Sequence, residues 1–215
     1  MEKIQFKIHR PFGPSIMEAT IPKEIVLNLN TYIDKIIADE KKSKELDYGT
    51  KLVGDVTQEF RLETELMKTS GWSQFLANCT ARWIEAATGK KIKKFTMLGS
   101  WVVRQFQNEY NPTHWHNGHI SGAGFLKLPK SFGSHFQKDK SGERTYNGGS
   151  LQLINGTRLF LSPSIKTIVP EVGKFYFFPH YLMHSVFPFK GTDEERRSIS
   201  FNAEIDQEIY DVYGK

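Results

Sequence analysis

Cysteine is almost absent from this 215-residue chain, where Cys79 stands alone. One thiol cannot close an internal disulfide or build a cysteine zinc site, so any metal must be held by histidine, carboxylate or substrate. Long apolar runs are missing as well. The longest, such as Phe175 to Pro179, fall far short of the roughly 20 residues a spanning helix needs. The opening MEKIQFKIHRPFG lacks the apolar stretch of a signal peptide, and together these absences predict a cytoplasmic protein that engages no membrane. No internal repeat or low-complexity segment occurs. Gly148-Gly149 is not followed by a lysine-bearing helix start, so it reads as a turn and not as a phosphate cradle.

What is present is a globular composition rich in aromatics, with 39% hydrophobic and 13% aromatic residues. The length suits one domain with a substantial core. Net charge is +5 and the pI near 9.1, with lysines at 41, 42 and 44, at 90, 91, 93 and 94, and between Lys127 and Arg144. A nucleic-acid surface has this composition, but so has a solvated lysine-rich face, which is the preferred reading. A nucleic-acid partner is therefore not expected, and a homodimer is left open.

Residues 1–92 read as a mixed, largely helical support region of the same domain, and 93–215 as a β-rich catalytic core. Pro22 opens a helical pattern through Ile25, Leu29, Ile33 and Ile36. A second helix runs from Gly71 to Ala87 with Trp72, Phe75, Leu76, Cys79 and Trp83 on one stripe. After Lys93 the texture changes to short β-branched and aromatic runs: 95–108, 120–128, 150–154, 158–161, 165–170, 174–179, 184–188 and 197–205. Seven or eight strands at this spacing predict an antiparallel sandwich or barrel. The lysine- and glycine-rich stretch 130–149 reads as a disordered insertion and a lid over the barrel mouth.

His114-Trp115-His116 carries the chemistry. On an extended segment, side chains at i and i+2 share a face, so both imidazoles can converge on one ion. A third must come from another strand, and His184 stands 68 residues further on. In Arg196-Arg-Ser-Ile-Ser-Phe-Asn202, alternation puts Arg196, Ser198, Ser200 and Asn202 on one face, and Arg197, Ile199 and Phe201 on the other. An arginine inside a barrel needs an anion, and a carboxylate held by its fork and by the Ser198 hydroxyl meets that need. His119 reads as a support just behind the ligands or as a surface residue, His180 as a loop histidine, and His9 and His135 as surface. Trp101, Phe106 and Trp115 read as packing.

These blocks resemble the 2-oxoglutarate- and Fe(II)-dependent oxygenase superfamily, in particular a bacterial and phage, prolyl-hydroxylase-like group. The matching pieces are His114-Trp-His116, Ser121-Gly-Ala-Gly-Phe-Leu-Lys-Leu-Pro129, Phe178-Pro-His-Tyr-Leu-Met-His-Ser-Val-Phe-Pro188 and Arg196 to Asn202, within Phe95 to Ile205. The resemblance implies a mainly β (α+β) chain, a double-stranded β-helix of jelly-roll or cupin type backed by N-terminal helices. It implies His114, His116 and His184 as iron ligands and catalytic centre, and Arg196 with Ser198 for the distal carboxylate of 2-oxoglutarate. Phe125 and Asn202 complete the implied cosubstrate pocket. Fe(II), 2-oxoglutarate and O2 are the implied cofactors, with ascorbate as an optional reductant. The implied reaction is substrate hydroxylation, at a prolyl or other peptide residue or on another small substrate, with release of succinate and CO2.

Two positions depart from the group's usual pattern. His116 stands where a carboxylate is usual, which leaves the iron one unit more positive. Phe125 stands where relatives often carry tyrosine, so Tyr110, Asn108, Ser200 or Asn202 must compensate. The neutral ligands predict that metal occupancy falls as pH drops through about 6.5; persistence below that would point to a carboxylate such as Glu109. Competing readings are a cupin-type three-histidine dioxygenase that needs no keto acid, and a non-catalytic β-sandwich binding module.

Overall fold

The computed structural model describes residues 5–9, 13–49, 52–132, 137–138, 144–145, 148–157, 160 and 163–213. Two antiparallel sheets carry the fold. The larger has seven strands in the order β1 (Phe6–His9), β2 (Ile16–Thr20), β11 (Lys174–Pro179), β6 (Ile120–Lys127), β13 (Arg196–Ile205), β4 (Phe95–Gln105) and β3 (Gln58–Arg61). The smaller has four, ordered β10 (Ile165–Ile168), β9 (Leu151–Ile154), β12 (Met183–Val186) and β5 (Asn111–His114). The chain steps between the sheets from β5 to β6 to β9, and again from β10 through β13. The result is the double-stranded β-helix. A separate pair, β7 (Gln137–Lys138) with β8 (Arg144–Thr145), lies in the insertion.

Side-chain alternation on β11 shows how the layers are built. Phe175 and Phe177 point out of the barrel into the helix-backed core, while Tyr176 and Phe178 point between the sheets with Phe125, Leu151 and Leu153. On the outer side, α1 (Lys23–Ala38) buries Leu29, Ile33 and Ile36, and α4 (Trp72–Thr88) buries Trp72, Phe75, Leu76, Cys79 and Trp83. Pro22 precedes α1 at its cap position, and glycines with positive φ, Gly71 and Gly89, bracket α4. Trp72 meets Phe175 edge-on at 5.2 Å, and Phe175 meets Phe177 at 4.9 Å. Such pairs contribute about 0.5–1.5 kcal/mol each beyond burial. Burial pushes the Cys79 thiol up to about 12, so it behaves as a small apolar residue.

The rings reach this density because β6 offers no Cβ beneath them. A methyl on Gly122 would stand 2.5 Å from Phe175 Cε1 and 2.7 Å from Phe201 Cε1. Any side chain there would push β6 off the aromatic layer.

Several expected elements match and others need correction. Strands from 1–92 flank those from 93–215: β1 and β2 form one edge of the larger sheet and β3 the other. Asn111–His114 forms strand β5, paired with β12, outside the runs expected to be strands. The helices α2 (Glu40–Glu45), α3 (Thr64–Thr69) and α5 (Gln207–Tyr213) add to the expected pair. Of the strand expected at 158–161, only Phe160 is described, in a turn, and much of the 130–149 insertion lies outside the described residues. No helix among the described residues is long and apolar enough to cross a membrane.

Candidate active site

Strand pairing brings the three histidines together. His184 on β12 lies directly opposite His114 at the end of β5. His116 follows two residues beyond the strand end, so it enters from the turn side and not from within an extended strand. Its backbone N–H donates to His180 O at 3.0 Å, and the His180 ring Nδ1 donates back to His116 O at 2.9 Å. His180 is thus the loop histidine expected, with the added task of holding the His116 backbone.

The ring nitrogens are aimed by their other halves. His114 Nδ1 lies 2.7 Å from Pro112 O, and His184 Nδ1 lies 2.9 Å from Leu182 O. A carbonyl can only accept, so each Nδ1 carries the proton and each Nε2 presents a lone pair. The ligand atoms of His114, His116 and His184 all lie within 4.8 Å of one another. His116 Nε2 and His184 Nε2 are 3.1 Å apart. With metal–nitrogen distances of about 2.1 Å, two ligands at right angles stand about 3 Å apart, so the spacing fits a bound ion.

Burial and mutual repulsion keep the cluster neutral. Burial first, then the neighbouring histidines, push His116 down to about 2, and burial with His114 pushes His184 down to about 4. Burial also lowers His114. Neutral imidazole is the form that ligates metal. Glu109 is not part of the cluster. Its carboxylate accepts from Thr57 N at 3.0 Å and from Phe106 N at 2.8 Å, which ties down the loop after β4.

A cavity of about 280 Å³ joins these rings to Arg196, Ser198, Ser200 and Asn202 on the inner face of β13. Arg196 is 1% exposed. Its Nε donates to Gly149 O at 2.9 Å, its Nη1 to Ser198 Oγ at 3.1 Å, and its guanidinium lies 5.1 Å from the Phe125 ring centre. Among the described residues no carboxylate pairs with it. Burial pushes the group down to about 9, the mark of a cation short of an anion. Asn202 lines the cavity and its Oδ1 accepts from Ser121 Oγ at 2.8 Å.

Other expectations change. Of the four donors proposed to compensate for Phe125, Ser200 and Asn202 line the cavity, while Asn108 and Tyr110 stand in the loop after β4. Trp115 is 65% exposed at the cavity rim, and Trp101 lines the cavity with its ring 5.5 Å from that of His116, so neither is packing alone. Phe106 does pack, with the Arg104 guanidinium 5.2 Å from its ring centre. His119 is 8% exposed and stacks on Tyr210 at 3.9 Å, so it pins α5 and is no surface residue. His9 is half-buried and pairs with Glu18 at 3.1 Å. His135 lies outside the described residues. Glu59, Tyr48 and Asn111 also line the cavity; no pattern in the sequence marks them, and Glu59 reaches the site only through the pairing of β3 with β4.

A family model described as 2OG-Fe(II) oxygenase matches residues 99–202. Among solved structures, a Pseudomonas putida prolyl-4-hydroxylase is 14% identical over 93% of this chain and 91% of its own, with a TM-score of 0.54. A viral collagen prolyl hydroxylase from Paramecium bursaria Chlorella virus-1, solved with 2-oxoglutarate, is 13% identical over 87% and 94%, with a TM-score of 0.52. An α-ketoglutarate-dependent epimerase of nogalamycin biosynthesis is 15% identical over 86% and 76%, also at 0.52. No curated protein matches the sequence. At these identities the structural likeness establishes the fold alone.

Proposed function

We propose that the chain is a member of the 2-oxoglutarate- and Fe(II)-dependent oxygenase superfamily, and that it hydroxylates an organic substrate, first of all a prolyl or other peptide residue, with release of succinate and CO2. Its cofactors are Fe(II), 2-oxoglutarate and O2. Bound at the three histidines, iron would supply the oxidising chemistry. The observation that carries the reading is a buried guanidinium with no carboxylate partner among the described residues, in one cavity with three neutral, converging imidazoles.

Each residue has a physical task. His114, His116 and His184 hold the metal, with Pro112 O and Leu182 O fixing two of the rings. Arg196 and Ser198 take the distal carboxylate of 2-oxoglutarate, and Phe125 supports the guanidinium from beneath. Ser200 and Asn202 offer further polar contacts in place of the tyrosine hydroxyl that Phe125 lacks. The cupin reading leaves a buried Arg196 with no counter-ion, so it accounts for less.

The test is a survey of prolyl peptides, other peptides and free amino acids for stimulated succinate release, with a mass gain of one oxygen in the substrate. Stimulation with that gain is the expected result. Keto acid turnover with an unchanged substrate mass, as in an epimerisation, would sink the hydroxylase reading and leave the superfamily standing.

A further inference from the structure

Glu59 is a second acid-base group in the same cavity without a partner among the described residues. It sits on β3 opposite Val103 of β4 and is 1% exposed. Neither carboxylate oxygen has a hydrogen-bond partner among the described residues. It lines the cavity that holds the three histidines and Arg196, and it makes no ion pair with Arg196. A carboxylate buried without donors costs free energy unless a ligand supplies them. Burial and the nearby Asp47 push its carboxyl up to about 7, which agrees with a group awaiting a partner.

The surroundings suit a cation. Tyr48 and Trp101, whose rings are 6.4 Å apart at 44°, line the same cavity, as does Asn111. Tyr48 N donates to Glu59 O at 2.8 Å, and Trp101 pairs with Arg61, two residues along β3 from Glu59. Gly54 lets the chain pass close to the carboxylate: a methyl there would stand 2.7 Å from Asn111 Nδ2 and 3.1 Å from Glu59 Oε1. A carboxylate beside electron-rich ring faces is the chemistry that binds ammonium and guanidinium groups. Arg196 and Glu59 therefore divide the cavity between an anionic and a cationic guest.

We propose that Glu59, flanked by Tyr48 and Trp101, binds an ammonium or guanidinium group of the substrate and so selects cationic substrates. This rests on the proposed function for the identity of the other guest, while the cation site itself follows from Glu59. A peptide N-terminal amine, or a lysine or arginine side chain near the modified residue, has the required group.

Matched probes on the full chain test this: n-pentylamine and agmatine against n-pentanol, followed by ligand-observed NMR with and without 2-oxoglutarate. Both cations are expected to bind about tenfold or more tightly than the alcohol, the usual scale of a buried charge-assisted hydrogen bond. Glu59→Gln should erase that preference, and Glu59→Asp should keep part of it. Equal binding of cations and alcohol by the unaltered protein overturns the proposal, as does an unchanged preference in Glu59→Gln that melts like the parent. The 2-oxoglutarate titration of the unaltered protein reports separately on the proposed function: cation preference without keto acid binding would sink that reading alone.

Discussion

Arg196 and Arg197 are neighbours on β13, each 1% exposed, yet their surroundings are opposite. Arg197 faces the helices. Its Nε donates to Glu195 Oε1 at 2.8 Å, one Nη to Asp34 Oδ1 at 2.7 Å and the other to Asn30 Oδ1 at 3.0 Å. Glu195 also accepts from Arg104 Nε at 2.8 Å, and these partners hold its carboxyl down to about 2 against the cost of burial. Arg196 faces the cavity with one carbonyl, one hydroxyl and one ring for company. A charge that is fully paired in the apo chain belongs to the fold; one left short of an anion belongs to a ligand.

The largest expected effect separates the two. Arg196→Met should weaken 2-oxoglutarate binding by about 30- to 1000-fold, the cost of removing one partner of a buried charge pair. The melting temperature of the ligand-free protein should hold or rise, since an uncompensated buried cation is gone. Calorimetry of binding and of unfolding checks both, and a large loss of apo stability with intact binding would reverse the assignment. Arg197→Met should do the converse. Glu195 keeps Arg104 and Lys127 as partners, so the loss should stay below the roughly 3–5 kcal/mol of a buried charge left alone, and below roughly 6–20 °C in melting temperature for a chain of this size. The keto acid affinity of the folded fraction should change little.

Next in size is the pH response of the cluster. The ordinary histidine value is 6.5, while His184 lies at about 4 and His116 at about 2 when folded. The unfolded chain therefore takes up protons first, so the metal-free protein is at full stability above pH 6.5 and loses it progressively as pH falls toward 4. His116 and His184 stay neutral through the same window, and burial lowers His114 as well. The midpoint of metal occupancy should thus fall below the 6.5 expected from free imidazole. Occupancy that halves near 6.5 in a folded protein would contradict the depressed values. The smallest effect belongs to Asp34→Asn. Its carboxylate is 64% exposed, so losing that arm of the Arg197 network should cost within about 1 kcal/mol by urea unfolding.

The same contrast shows what could be read from the sequence. The sidedness of Arg196 and Arg197 is a period-two property of seven consecutive residues, Arg196 to Asn202, and it needs no tertiary information. The histidine pairing was legible as a gap that strands must close, though not the exact register that sets His184 against His114. Strand β5 was hidden because Asn111-Pro112 carries turn chemistry while pairing at a sheet edge. Glu59 was illegible for a different reason. Gln-Glu-Phe-Arg has no periodic signal, and the carboxylate reaches the cavity only because β3 pairs with β4, more than 40 residues downstream. The inward and outward faces of Phe175 to Phe178 were equally unmarked, since both bury aromatics.

An anaerobic titration of the Fe(II)-loaded chain with 2-oxoglutarate, followed in visible absorption, tests the three-histidine centre most directly. A centre built on His114, His116 and His184 beside Arg196 predicts a charge-transfer band that saturates with the keto acid and disappears in His184→Ala. Survival of that band in His184→Ala, with unchanged keto acid affinity, would contradict it.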